Sequence, residues 1–350
     1  MTHSPFYLSI VATTRNDNHG GDLLRRTQAF VNSVYVQSKK FNLPIELIIV
    51  EWNPPADKPL LKEVLIGPKE DVPVSLRFIV VPREIHATYR FSDSLPLYQM
   101  IAKNVGIRRA KGEFVLCTNV DILFSDSSFE RMAQREFEKG KFYRANRCDV
   151  PKEVMEISDL KGQLAYCKKN VLRRLGNTPG HEALTGPNWL FKYAWLSKLL
   201  NKALMKIWHL THRGQFAHFL VDFMACGDFT LMSKEDWFKI DGYVELDMYS
   251  IHIDSMGLWS ASALGITQEI FDFKECVYHI DHENGWESED LIKTIQFLSD
   301  KPSLDYSIVH RAGMKMVSTK TNWNLNKEDW GWANEQFEEF TFAGQELDHA

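Results

Sequence analysis

Apolar and polar positions fall into blocks of two different periods along the first third of the chain. Phe6 to Ala12, Ile45 to Glu51 and Ser75 to Val81 are short, nearly unbroken apolar runs, the pattern of strands buried on both faces. Asn53-Pro54-Pro55 stops the second of them. From Asp22 to Lys40, Leu23, Leu24, Ala29, Phe30 and Val34, with Phe41 just beyond, recur near helical spacing. A second helix from about Leu97 to Ala110 leads through Gly112 into another buried strand, Phe114 to Cys117. Strands alternating with helices predict an α/β domain with a mostly parallel central sheet flanked by crossover helices.

The second half is less regular. Gly140, Pro151, Gly162, Gly176, Pro179, Gly180, Gly186 and Pro187 break residues 141–187, and no long element is expected there. Asn188 to about Thr211 reads as a helical insertion rich in aromatics and lysines. Asp228 to Met232 reads as a strand, and Ser233-Lys234-Glu235-Asp236-Trp237 as the capped start of a helix. A further strand includes Cys276 to Ile280, and the acidic, aromatic tail after about Leu325 reads as helical or loosely attached. Residues 1–300 are expected to form one domain and 301–350 a C-terminal extension.

Composition adds limits. At 350 residues with 44% hydrophobic and 25% charged, the chain is of ordinary globular make-up and can bury a large core. A net charge of −5 argues against nucleic acid as the main partner. Polar residues interrupt every apolar run before it reaches spanning length, and the first residues lack the pattern of a secretory signal. Five scattered cysteines without a C-x-x-C pair suit free thiols, and a cytoplasmic location is expected.

The stretch from Asn104 to Asp121 carries the sharpest signal. A helix ends at Gly112, and a short strand then delivers Asn119-Val120-Asp121 to its carboxyl end, where ligands of open α/β sheets bind. Asn-Val-Asp resembles the Asp-x-Asp signature of GT-A glycosyltransferases, and the N-x-G-I-x-x-A-x-G-E-F run before it resembles the corresponding segment of family 2 enzymes. The resemblance covers roughly residues 6–290 in element order and is specific around 104–121, 226–254 and 278–286. It implies a Rossmann-like GT-A fold that moves a sugar from a nucleotide-diphosphate donor to a glycan or lipid-linked hydroxyl acceptor, as in polysaccharide biosynthesis. Residues 1–125 would bind the donor and 126–300 the acceptor.

The same resemblance implies the site residues. The loop after the first strand, Thr13, Thr14, Arg15 and Asn16, and the strand-end Glu51 would contact base and ribose, together with Asn104, Asn119, Val120 and Asp121. A turn that caps the next helix explains Asn16-Asp17 and Gly20-Gly21 equally well. Asp121 would hold Mn²⁺ or Mg²⁺ against the pyrophosphate, with His279 or His282 from a late loop completing the shell; an imidazole ligand suits Mn²⁺ better. Asn119 stands where the signature has an Asp, which weakens the metal case. Cys226 to Ser233, Asp241-Gly242-Tyr243 and Ile251-His252-Ile253-Asp254 resemble the acceptor half, whose acidic group takes the proton from the attacking hydroxyl. The usual Glu-Asp pair is missing. Asp254 is the favoured base and His252 its rival; inversion is favoured and retention stays open. Asp228 and Trp189 are candidates to line the acceptor pocket.

From Trp189 to Trp208, Lys198, Lys202 and Lys206 form one stripe opposite Leu196, Leu199, Leu200, Ala203, Leu204 and Ile207. The pattern fits a peripheral contact with a membrane carrying a lipid-linked acceptor, or a core helix with a solvated lysine face, which is the simpler reading. Two rival functions remain: a non-catalytic nucleotide-sugar-binding protein, and a sugar nucleotidyltransferase. The Thr13–Asn18 elbow lacks the glycine-rich phosphate loop of the latter, and no G-x-G-x-x-G follows the first strand, which counts against a dinucleotide-dependent dehydrogenase.

Overall fold

In a computed structural model the described residues are 6–67, 71–176, 203, 221–282, 299 and 301–342. The helical insertion near 188–213, with Trp189 and its lysine stripe, lies outside them apart from residue 203. The first half follows the apolar blocks closely. Strand β1 (Phe6–Thr14) leads to α1 (Leu23–Phe41), β2 (Ile45–Trp52), the single turn α2 (Leu61–Val64) and β3 (Val74–Val81). The single turn α3 (Arg83–His86), then α4 (Gln99–Arg109) and β4 (Gly112–Cys117) follow. All eight residues of β2 are buried, which is why its sequence reads as a continuous apolar run rather than an alternating one.

Beyond Cys117 the chain builds elements that its apolar pattern does not announce. These are β5 (Ile122–Phe124), α5 (Asp126–Ala133), β6 (Lys141–Arg144), β7 (Arg147–Val150), a 3₁₀ turn (Lys152–Glu156), α6 (Leu160–Lys169) and β8 (Arg173–Leu175). After residue 220 come β9 (Thr230–Ser233), α7 (Lys234–Lys239), α8 (Ile253–Ala263), β10 (Thr267–Ile270), β11 (Val277–Ile280), α9 (Tyr306–Thr319) and β12 (Glu338–Phe342). Ser233 caps α7 as its sequence predicts, its hydroxyl accepting from the Asp236 amide. The tail differs from expectation: β12 is an edge strand, held by backbone pairing to β3 and by Glu339, which accepts from Arg77.

The strands form two sheets. The larger has the order β10-β6-β9-β4-β1-β2-β3-β12, and the smaller β5-β11-β7-β8. The larger sheet is mixed, which corrects the expectation of a mostly parallel one. β1, β2, β3 and β4 pair in parallel, as do β6 and β10. β9 runs antiparallel to both β4 and β6, and β12 runs antiparallel to β3. Strand–helix alternation, the basis of the expectation, ends at β4. From there the chain passes directly between sheets at residues 118–121 and again at 145–146, without a crossover helix.

Helices cover both faces of the larger sheet. One core joins Phe30, Val34, Leu47, Leu116 and Phe129, from α1, β2, β4 and α5. The other joins Val50, Ile101, Val105, Trp237, Leu258 and Trp259, from β2 and helices α4, α7 and α8. A third, smaller core of Leu123, Cys148, Val150, Cys167, Tyr278 and Ile280 backs the small sheet. The five cysteines are buried and unpaired. No helix among the described residues is long and apolar enough to cross a membrane.

α9 rests on α8 at Gly313, where an added Cβ would lie 2.3 Å from the Trp259 ring. Helix propensity alone favours Gly313→Ala by ~1 kcal/mol, whereas overpacking costs about 1–3 kcal/mol. Trp259 is almost fully buried and has no room to yield. Gly313→Ala is therefore expected to lower stability, measured by urea unfolding, despite its better intrinsic propensity.

Candidate metal and ligand site

Asp121 sits where the chain leaves β4 for the small sheet. Its backbone carbonyl accepts from the Ile280 amide (2.9 Å), which fixes it beside β11. On β11, His279 is in register with Ile122 of β5 and with Asp149 of β7. Strand alternation therefore puts Arg147, Asp149 and His279 on one face of the small sheet and Cys148, Tyr278 and Ile280 on the other. The first face is polar and buried; the second packs into the third core.

Three side chains converge on Asp121. Arg26 of α1 donates from Nη1 to Oδ2 (2.9 Å). His282 Nε2 lies 3.1 Å and His279 Nε2 3.8 Å from the same oxygen, while Oδ1 is buried without a hydrogen-bond partner. Arg26 also donates to the carbonyls of His19 and Gly21, so it ties the loop after β1 to Asp121. Gly20 of that loop has φ +68°, and a Cβ there would lie 2.4 Å from His282 Nδ1. Only glycine allows the loop to pass so close to the imidazole.

Burial by itself would raise the Asp121 carboxyl. The charges of His279, His282 and Arg26 overcome it and hold the group well below the usual carboxylate range. Asp149 is also depressed: its burial is outweighed by the hydrogen bond from His279 and the charge of Arg147. For His279, burial and Arg147 favour the neutral ring, but Asp121, Asp149 and Asp228 win and raise its pKa. One ligand atom from each of Asp121, His279 and His282 lies within 4.8 Å of the others, a group that could hold a metal ion. It is the one such group among the described residues. The unpartnered Asp121 Oδ1 and the carboxylate behind His279 fit that use, since metal-binding imidazoles commonly donate their other N–H to a carboxylate.

A second polar group continues from this one. Arg147 donates from Nε to Asp149 (2.5 Å) and from Nη1 to Asp228 (3.0 Å), and its Nη2 lies 3.0 Å from His279 Nδ1. Asp228 also accepts from Asn119 Nδ2 (2.5 Å). Asn119 Oδ1 in turn accepts from Gln99 (2.8 Å) and from Lys103 Nζ (2.9 Å), and Lys103 donates again to the Gly227 carbonyl (2.7 Å). Lys103 is fully buried, and burial lowers its pKa although the charges of Asp228 and Asp254 oppose that shift. Asp254 stands in the first turn of α8, its Oδ2 3.1 Å from where a Gly227 Cβ would be.

Asp254 faces Gly227 and Cys226, whereas His252 turns towards α9 and packs on Tyr306 with ring centroids 5.4 Å apart. Thr13 donates to the Val50 carbonyl and Asn16 to the Pro59 carbonyl; Thr14 is buried, and Arg15 reaches the Pro96 carbonyl and lies 3.5 Å from Asp17. Val120 packs in the core. Asn104 is not brought to Asp121. Its amide clamps the backbone of Tyr243 and the Glu245 carboxylate, a structural task for the residue that opens the motif. Arg26, Lys103, Arg147 and Asp149 were not singled out by the sequence, because charged residues on a helix or in a short strand look the same whether solvated or paired.

Glu51 is fully buried at the end of β2; one oxygen accepts from the Leu61 amide (2.9 Å) and the other has no partner. Burial pushes its carboxyl up to about 7. The folded-state pKa thus exceeds the unfolded value, so this residue's contribution is intact below about 4.5 and is lost as pH rises to about 7. Glu51→Gln is expected to stabilise the protein at pH 8 relative to pH 5, by on the order of 2–3 kcal/mol. Denaturant midpoints of both proteins at the two pH values would measure it; equal differences at both would show that Glu51 is ionised when folded.

No protein-family model matches this chain, and no curated protein matches it.

Proposed function

We propose that the protein is a metal-assisted glycosyltransferase of Rossmann-like GT-A architecture, using a nucleotide-diphosphate sugar donor. The observation that carries the reading is the Asp121–His279–His282 group at the carboxyl edge of β4, with one Asp121 oxygen unpartnered. Two imidazole nitrogens beside a carboxylate favour Mn²⁺ over Mg²⁺. The charges nearby support a diphosphate ligand as well. Arg26, Arg147 and Arg173 already pair with Asp121, Asp149 and Asp228. A divalent ion added to that balanced set brings surplus positive charge, which a diphosphate offsets. Bound there, the ion would supply Lewis-acid stabilisation of the leaving phosphate.

Asp254 is the proposed base for the acceptor hydroxyl, because it faces Gly227 and the Lys103 chain while His252 packs on α9. The acceptor is a glycan or a lipid-linked glycan. A second reading, binding without transfer, draws on Arg26, which already supplies Asp121 with a positive partner.

Asp121→Ala and His282→Ala are expected to weaken Mn²⁺ binding and its enhancement by a nucleoside diphosphate at least about tenfold, read by calorimetry. Unchanged Mn²⁺ affinity in both variants would remove the metal site. Across a panel of nucleotide sugars, Asp254→Asn is expected to slow transfer by ~10²–10⁴-fold with donor affinity nearly unchanged. Donor binding by the unaltered protein without transfer to any acceptor would favour the second reading.

A further inference from the structure

Arg144 closes β6 at the carboxyl edge of the large sheet, in the strand row that also holds Thr230 and Cys117. It is 1% exposed. Its Nη2 donates to the Met224 carbonyl (2.6 Å), but the N–H groups on Nε and Nη1 meet no acceptor. No carboxylate among the described residues pairs with it. Two residues on, Asn146 is 3% exposed, and neither its amide nitrogen nor its oxygen has a partner. Two buried polar side chains two residues apart thus leave four polar atoms unsatisfied, and the Arg144 group is a full charge.

The backbone at both residues is held by hydrogen bonds. The Arg144 carbonyl accepts from Phe271, and the Asn146 carbonyl from Val277, both at 2.8 Å. A guanidinium keeps its proton at any ordinary pH, so neutralisation cannot relieve the cost of burying it. Hydroxyls would satisfy the donors but leave the charge. A carboxylate or phosphate oxygen satisfies both, and the Asn146 amide can add a further donor.

The position suits a ligand. Arg144 touches the loop before β9, in which Asp222, Met224, Ala225 and Gly227 are partly exposed, so the guanidinium lies one layer below the surface. Ala225 in this loop has φ +52°, a conformation that costs a non-glycine residue about 1–2 kcal/mol. Arg144 holds the Met224 carbonyl of this loop, and Asp254 lies against Gly227 three residues further along it, so the guanidinium and the proposed base meet the same short segment.

We propose that Arg144 and Asn146 form an oxyanion subsite, taking a carboxylate or phosphate group of the ligand that reacts beside Asp254. In the setting of the proposed transfer reaction, the acceptor is then acidic, either a uronic-acid sugar or a phosphate-bearing one. That assignment rests on the transferase reading; the oxyanion subsite itself does not.

The test uses the full chain with glucuronate, glucose and inorganic phosphate, each at millimolar concentration, read by thermal melting and calorimetry. Glucuronate or phosphate is expected to raise the melting temperature by about 1–3 °C, and glucose not to. The larger of the two anion responses identifies the source of the oxyanion. Arg144→Met is expected to bind the anion about ten- to a hundredfold more weakly. The same variant, without ligand, is expected to melt no lower than the unaltered protein, since it removes an uncompensated buried charge. Asn146→Ala is expected to weaken binding less, and Asp121→Ala to leave it unchanged, which separates this subsite from the metal group. No response of the unaltered protein to either anion overturns the proposal, as does an equal response in Arg144→Met. Early melting of Arg144→Met with Asn146→Ala binding the anion normally overturns it too, and marks Arg144 as structural.

Discussion

The guanidinium of Arg147 joins the two sheets. From β7 of the small sheet it reaches Asp149 on its own strand, His279 on the next strand, and Asp228 at the entry to β9 of the large sheet. Breaking such a buried pair strands its partners in a low-dielectric interior, at a cost of about 3–5 kcal/mol. The orientation of His279, and the link from Asp228 through Asn119 to Lys103, both depend on it. A change at Arg147 would therefore reach both polar groups, although they lie on different sheets.

His279 Nδ1 has two neighbours that want opposite things from it. Arg147 offers a proton at 3.0 Å, and Asp149 offers an acceptor at 3.2 Å. A ring whose Nδ1 accepts from Arg147 has its proton on Nε2, the nitrogen that faces Asp121. A ring whose Nδ1–H donates to Asp149 leaves Nε2 with a free lone pair. Only the second can ligate a metal through Nε2, so the tautomer and the cation are coupled through Arg147 and Asp149.

The parts of the fold that could be read from the sequence share one property, burial on both faces. β1, β2 and β3 are continuous apolar runs, and their observed ends lie within two residues of those expected. β6 and β7 are four residues each, Lys-Phe-Tyr-Arg and Arg-Cys-Asp-Val, and both are mostly or wholly buried. Their polar residues are paired or ligand-facing rather than solvated, so apolar periodicity could not find them. The site divides in the same way. Asp121, His279 and His282 stood out through the resemblance of Asn119-Val120-Asp121 and of the late histidine pair to the GT-A pattern. Arg26 is 1% exposed on a helix whose sequence gives it no distinction from Arg25, which is exposed and paired with Glu156.

The position of β12 has a consequence for synthesis of the chain on the ribosome. The strand pairs with β3, and Glu339 reaches Arg77 across 262 residues of sequence. At ordinary elongation rates, roughly 10–50 s pass between the emergence of these two segments. Throughout that interval β3 is an open edge, and of the two carboxylates that pair with Arg77 among the described residues Glu46 alone is in place. The nascent chain is thus exposed to pairing with a neighbour on the same messenger until β12 arrives.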